Sequence, residues 1–159
     1  MDDAVSRDAG RGSVSIEVAV LAPAFIALLV LAGAAGRTAV AAEALDAAAH
    51  DAARAASISR DARTARAEAR DAAVRQLNWR GLNCDGTPTL TFTGSVGGRP
   101  STFAAAFRSP PGQSATVTVR VACTVSYRDL HLSVLPGMPS GNRVTASFTS
   151  PLDRYRSRG

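Results

Sequence analysis

No lysine occurs in the 159 residues; all 18 basic side chains are arginine. A phosphate loop of the kind that needs an invariant lysine is therefore excluded. Two cysteines and two histidines, widely separated, cannot supply a zinc site of the usual spacings, so no metal or other cofactor is expected. Aromatic residues make up only 5%, which leaves no row of stacking platforms for single-stranded nucleic acid. Catalytic sets are missing as well. His50 would lie one helical turn from Asp46 with no nucleophile at hand, and His131, beside Asp129, has no serine or cysteine presented by a recognisable turn. Both read as surface histidines. No carboxylate pair has an interpretable spacing, so neither enzymatic activity nor a small-molecule substrate is expected.

Alanine and arginine fill the space that these absences leave. Alanine supplies 32 residues, and the formal net charge is +5. The charge is uneven. Residues 1–36 carry a net −2, residues 37–76 set seven arginines against six acids, and residues 77–159 carry +6. The three blocks differ in composition and are expected to be three segments, with a leader-like stretch at residues 1–12 opening the first.

The strongest single signal is VAVLAPAFIALLVLAGAAG, 19 uncharged residues from Val18 to Gly36 between Glu17 and Arg37. As a helix it would extend roughly 28 Å, close to the ~30 Å of a bilayer's hydrocarbon core. Pro23 is tolerable in such a helix. A core helix is disfavoured because the rest of the chain has too few large apolar residues to surround it. A cleaved signal peptide is the rival, with Ala32-Gly33-Ala34 in the A-x-A form of a signal peptidase site. The acidic balance ahead of the run and Glu17 directly against it favour a retained anchor over residues 13–36. Arginines on both sides leave the orientation undecided by charge.

Residues 37–80 are expected to be alanine-rich helices broken near residues 57–61. Ala41, Ala44, Leu45, Ala48, Ala52, Ala55 and Ala56 recur at helical spacing and form a face of small residues suited to packing against another helix in the membrane. Ser59 is expected to cap the second helix, with Asp61 in its first turn and Gly81 as its stop. That helix would bury Ala62, Ala65, Ala69, Ala72, Ala73 and Leu77, and Asp71 would pair with Arg75. Arg63, Arg66 and Arg70 line one side, with Glu68 and Asp71 interleaved; mixed signs are the pattern of a solvated face rather than of a lipid or nucleic-acid stripe.

The period changes from 3.6 to 2 in residues 81–159. Ala115–Tyr127 alternates Val117, Val119, Val121, Cys123, Val125 and Tyr127 with Thr116, Thr118, Arg120, Ala122, Thr124 and Ser126, the pattern of a half-buried strand. Thr89–Thr93 and Arg143–Phe148 alternate likewise, with connections such as GSVGGRPS and PGMPSGN. A small antiparallel sheet of three or more strands is expected, with the helix of residues 60–79 over its apolar face. Bridging Cys84 to Cys123 would close a loop of about 40 residues and stabilise by roughly 4 kcal/mol on the chain-entropy model. The alternative is that Cys123 is a small buried hydrophobe. The bridge is preferred, and it implies a non-cytoplasmic compartment.

Arg11-Gly12-Ser13-Val14-Ser15-Ile16-Glu17, running straight into the apolar stretch, resembles the type IV prepilin processing signal. The resemblance implies a cut between Gly12 and Ser13 by a prepilin peptidase. Glu17 would then be the fifth mature residue, pairing with the N-terminal amine of a neighbouring subunit. Val18 stands where Flp-type signals usually carry an aromatic. With the alanine-rich stretch AAAHDAARAASISRD, the two cysteines around a T-V-T-V strand and the closing SPLDRYRS, the chain resembles the TadE-like family of tight-adherence (Flp-type) pilus assembly proteins in its actinobacterial form. The resemblance implies a single-pass cell-membrane protein, pseudopilin-like, whose C-terminal domain is extracytoplasmic and whose partners are other pilins and the pilus assembly machinery. The expected fold is α+β: a long N-terminal transmembrane helix, a second shorter helix and a small disulfide-stapled sheet. Rival functions are a secreted basic binding protein released after Ala34, and a DNA-uptake pseudopilin. The +6 segment permits the latter, but no groove-reading or aromatic motif supports it, so nucleic acid is not expected as a partner.

Overall fold

Alanine-rich sequence favours helix, and the first element is correspondingly long: α1 spans Ala9–Ile58, with Pro23 inside it. The computed structural model describes residues 9–127 and 140–155, with side chains from residue 17 onward. After α1 come α2 (Ala62–Trp79), β1 (Thr89–Val96), β2 (Arg99–Thr102), α3 (Phe103–Phe107), β3 (Ala115–Ser126) and β4 (Gly141–Pro151). The expected α+β architecture is therefore present. The chain divides into two compact units, one ending at Gly36 and the other beginning at Arg37.

In the first unit the apolar residues of α1 face outward. Val18, Val20, Leu21, Phe25, Ile26, Leu28, Leu29 and Leu31 are all exposed. The helix is long and apolar enough to cross a membrane, with a mean hydropathy of 2.5 over its most apolar window and none of that window buried. A core helix would show the opposite.

In the second unit four antiparallel strands form one sheet in the order β2-β1-β3-β4. The even-numbered threonine and serine positions of β3 share a face with Ser95, Thr93 and Thr149, where Thr118 Oγ1 meets Thr149 Oγ1 at 2.7 Å and Ser95 Oγ meets Thr116 Oγ1 at 2.8 Å. The opposite face carries Val117, Val119, Val121 and Cys123 into the core. The core's helical side consists of alanine: Ala41, Ala44, Ala48, Ala49, Ala52, Ala53 and Ala56 of α1, with Leu45, and Ala65, Ala69, Ala73 and Leu77 of α2 are essentially inaccessible. The small-residue face of α1 is thus spent inside this unit and is not free to pack on a partner helix in a membrane. Polar contacts pin α1 at both ends of this stretch: Thr38 Oγ1 lies 2.6 Å from the Tyr127 hydroxyl, and Ser150 donates to Ser57 Oγ at 3.0 Å.

Three local expectations need correction. Asp61, not Ser59, caps α2; its carboxylate accepts from the N–H groups of Arg63 and Thr64, both at 2.9 Å. The Ser59 hydroxyl instead donates back to the Ala55 carbonyl at the end of α1. Among the described residues, no ion pair joins Asp71 to Arg75. Nor is the arginine stripe merely solvated: the guanidinium of Arg66 lies 5.1 Å from the centre of the Phe103 ring and that of Arg70 5.4 Å from Phe92. Their alkyl stems can cover the edge of the core while the charge stays wet. Gly81, by contrast, is the stop it was expected to be. At φ +66° it donates to Asn78, while Leu82 donates to Leu77, the paired bonds of a left-handed helix terminus.

The Asp61 cap makes stability depend on pH. Bonds from the Thr64 N–H, then from its hydroxyl, and from the Arg63 N–H hold the carboxyl below its usual range. A depressed folded-state value means that the stabilisation is complete above the unfolded carboxylate value of about 3.9 and is lost as pH falls through the folded one. Asp61→Ala is expected to lower the melting temperature modestly at pH 7 and to have little effect near pH 2, as thermal melts at the two pH values would show.

GSVGGRPS is a hairpin rather than a plain connection. Gly97 and Gly98 have φ of +58° and +77°, a two-residue turn that pairs β1 with β2. Pro100 sits on β2, the edge strand, where a missing donor costs nothing. The hairpin leads into α3, whose N-terminus is capped by the Thr102 hydroxyl and which buries Phe103, Ala106 and Phe107. α3 lies so close to β1 that a Cβ at Gly94 would meet Ala106 Cβ at 2.8 Å and the Thr102 carbonyl oxygen at 2.9 Å. Gly94→Val is expected to destabilise by about 1–3 kcal/mol, readable as an earlier urea midpoint.

Candidate functional site

Gly12 and Ser13 are the fourth and fifth residues of α1, and Glu17 lies one turn further along the same helix. Glu17 is exposed, immediately ahead of the exposed apolar stretch. Among the described residues, no hydrogen bond or ion pair satisfies its carboxylate. A helix placing one carboxylate at the edge of a membrane-length apolar surface can recruit a cation from a neighbouring molecule, because leaving that charge unpaired there is costly. α1 also continues without a break through Ala32-Gly33-Ala34, so no turn marks Ala34 as a point of release.

Cys84 and Cys123 are joined by a disulfide with their Cα atoms 5.4 Å apart. The bridge ties the loop after α2 to the inner face of β3. Beside it the Asp85 N–H donates to the Thr124 carbonyl at 2.8 Å, so the loop is bonded to the strand twice. A shallow depression of about 200 Å³ next to Cys84, lined by Leu77, Leu82 and Pro88 among others, carries no titratable side chain.

His50 does not meet Asp46. Its Nδ1 lies 3.2 Å from Asp51 Oδ1 and its ring packs edge-on against Phe148 at 4.5 Å. His131 and Asp129 lie outside the described residues. Among the described residues, no group of three or more His, Cys, Asp or Glu side chains is placed to hold a metal ion. The sequence patterns did not single out Trp79 and Ile58, which are exposed large apolar residues at the ends of α2 and α1. Each lies two positions, about 200° of helix, past a buried residue (Leu77 and Ala56), and that arithmetic would have put both on the outer face.

Neither the curated proteins nor the solved structures contain a match to the chain. A family model does match. Its span of residues 12–54 takes in the glycine of the candidate cut, Glu17, the apolar stretch and most of the alanine-rich part of α1, and stops short of α2, the cysteines and SPLDRYRS. The model is that of the TadE-like protein, and residues 12–54 of the chain are similar to it.

Proposed function

We propose that the chain is a single-pass membrane subunit of Flp-type (tight-adherence) pilus assembly, a minor pilin or pseudopilin that works by association rather than catalysis. The carrying observation is the coincidence of the TadE-like match with one helix that includes Gly12 and Ser13, presents Glu17 and continues as an exposed apolar surface. The disulfide favours an oxidising compartment for the second unit, and so an extracytoplasmic C-terminal side. In this proposal a prepilin peptidase cuts between Gly12 and Ser13, and Glu17 sets the register with a neighbouring subunit.

N-terminal sequencing of the native protein after membrane fractionation tests the proposal. A start at Ser13 in the membrane fraction is expected. A start at Ala35 in the medium would mean a secreted protein and would remove both the anchor and the pilus role.

A further inference from the structure

The outer surface between α1 and α2 holds a groove of about 430 Å³, with Ala55 and Ala72 on its floor, Ile58 and Trp79 on its apolar side, and Arg54 and Arg75 among its polar residues. Trp79, the only tryptophan in the chain, is 76% exposed and Ile58 is 69% exposed. Two large apolar side chains left in water beside one recess stand apart from Val40 and Val74, the other exposed large apolar residues of these helices from Arg37 onward, which do not line it. Tryptophan and arginine are also the residues that most often dominate binding energy at protein interfaces. Among the described residues, neither Arg54 nor Arg75 has an ion-pair partner, and the guanidinium of Arg80 lies 5.3 Å from the centre of the Trp79 ring. Asp51, the acidic residue of the groove, sits against His50.

We propose that this groove docks an acidic, apolar-tipped segment of another protein subunit. A leucine-sized side chain would sit on the alanine floor against Trp79 and Ile58, and flanking carboxylates would meet Arg54 and Arg75. The inference names a partner chemistry for the assembly role proposed above and rests on that role for what the partner is. Charge decides against a second copy. The groove itself sets Arg54 and Arg75 against one carboxylate, Asp51, so two copies laid face to face would bring like charge together. A lipid surface is separated by the vesicle arm of the test, since Trp79 and Ile58 are exposed enough to enter one.

The sole tryptophan makes the test direct. The full chain in phosphatidylcholine nanodiscs is titrated with a tryptophan-free amphipathic Leu/Glu helix and with its Leu/Lys counterpart. Empty discs correct for peptide taken up by lipid. A blue shift of Trp79 emission is expected, with half-saturation at a concentration at least tenfold lower for the Leu/Glu peptide. The Arg54→Glu/Arg75→Glu variant, shown by circular dichroism to be folded, should reverse the preference. Ile58→Ser should weaken binding of both peptides. Equal half-saturation for the two peptides, or no shift with either, overturns the proposal. So does a shift that follows protein concentration alone, which means self-association, or one produced only by phosphatidylglycerol vesicles, which means a lipid surface. Binding is read without reference to piliation. A chain that binds the Leu/Glu peptide but begins at Ala35 in its native source therefore keeps the groove and loses the pilus role.

Discussion

Replacing Cys84 and Cys123 together by alanine is expected to destabilise the second unit by about 4 kcal/mol, the chain-entropy value for a loop of this length. The bridged residues are 39 apart, and the loop between them contains β1, β2, α3 and most of β3. Without the bridge, the whole first half of the sheet must be ordered from an unrestrained chain. The core that would have to compensate is thin. Its largest fully buried side chains are Phe103, Leu45 and three valines, and most of its helical side is methyl groups. Net stabilities of domains are about 5–15 kcal/mol, so the loss is a large fraction of whatever this unit has. For a unit of this size it corresponds to a fall in melting temperature of roughly 12–20 °C. Thermal melts of the full chain followed by circular dichroism would check it. The wild-type chain with and without reductant serves as the packing control, since reduction keeps the buried Cys123 sulfur in place. A drop of only a few degrees in both experiments would mean that the alanine-lined core holds the sheet without help.

Much of this fold was legible because two periods are written plainly in the sequence. β3 announces itself by strict alternation, and the structure places its valines inward and its threonines outward as that alternation requires. Other elements lacked such a signal. α3 is five residues long, less than two turns, so no helical period could develop, and its burial depends on Gly94 letting it approach β1. β2 was hidden because Gly-Gly marks a hairpin only when the chain after it returns to pair, and a four-residue strand containing proline gives little sign of doing so. The choice between Ser59 and Asp61 as cap turned on where α1 ends. Both residue types cap well, and what decided it was that Ser59 is already bonded to the last turn of α1. The alanine face of α1 shows the limit most clearly. Its periodicity fixed which residues face a neighbour but not what the neighbour is, because a row of methyls fits a β-sheet as well as another helix. At the candidate site Glu17 could be found from its place against the apolar run. The Trp79–Ile58 groove could not, because it exists only when two helix ends from different parts of the chain come together.

Replacing Glu17 with alanine is expected to reduce surface pili by up to about tenfold while leaving the protein in the membrane fraction. The estimate rests on the cost of an acidic side chain in hydrocarbon, about 2.5–3.5 kcal/mol at the centre of a membrane helix and less near the edge. Pairing with a neighbour's amine that relieved half of the central value would be worth about 1.4 kcal/mol, a factor of ten in subunit association, which is the ceiling for a residue at the edge. Insertion should not suffer, since alanine in place of a carboxylate only makes the segment beginning at Val18 more apolar. Glu17→Gln separates the charge from mere polarity. Glutamine keeps the side-chain length and can still hydrogen-bond, but it cannot form an ion pair. Glu17→Gln should therefore fail almost as completely as Glu17→Ala, with both proteins recovered in carbonate-washed membranes. Normal piliation in both variants would remove Glu17 from the mechanism. Rescue by glutamine alone would replace the ion pair with a hydrogen bond. The contrast with the buried alanines of residues 41–56 is physical: those side chains have already met their partner within the second unit, whereas the Glu17 carboxylate has none among the described residues and, in the proposed role, meets a neighbour's amine.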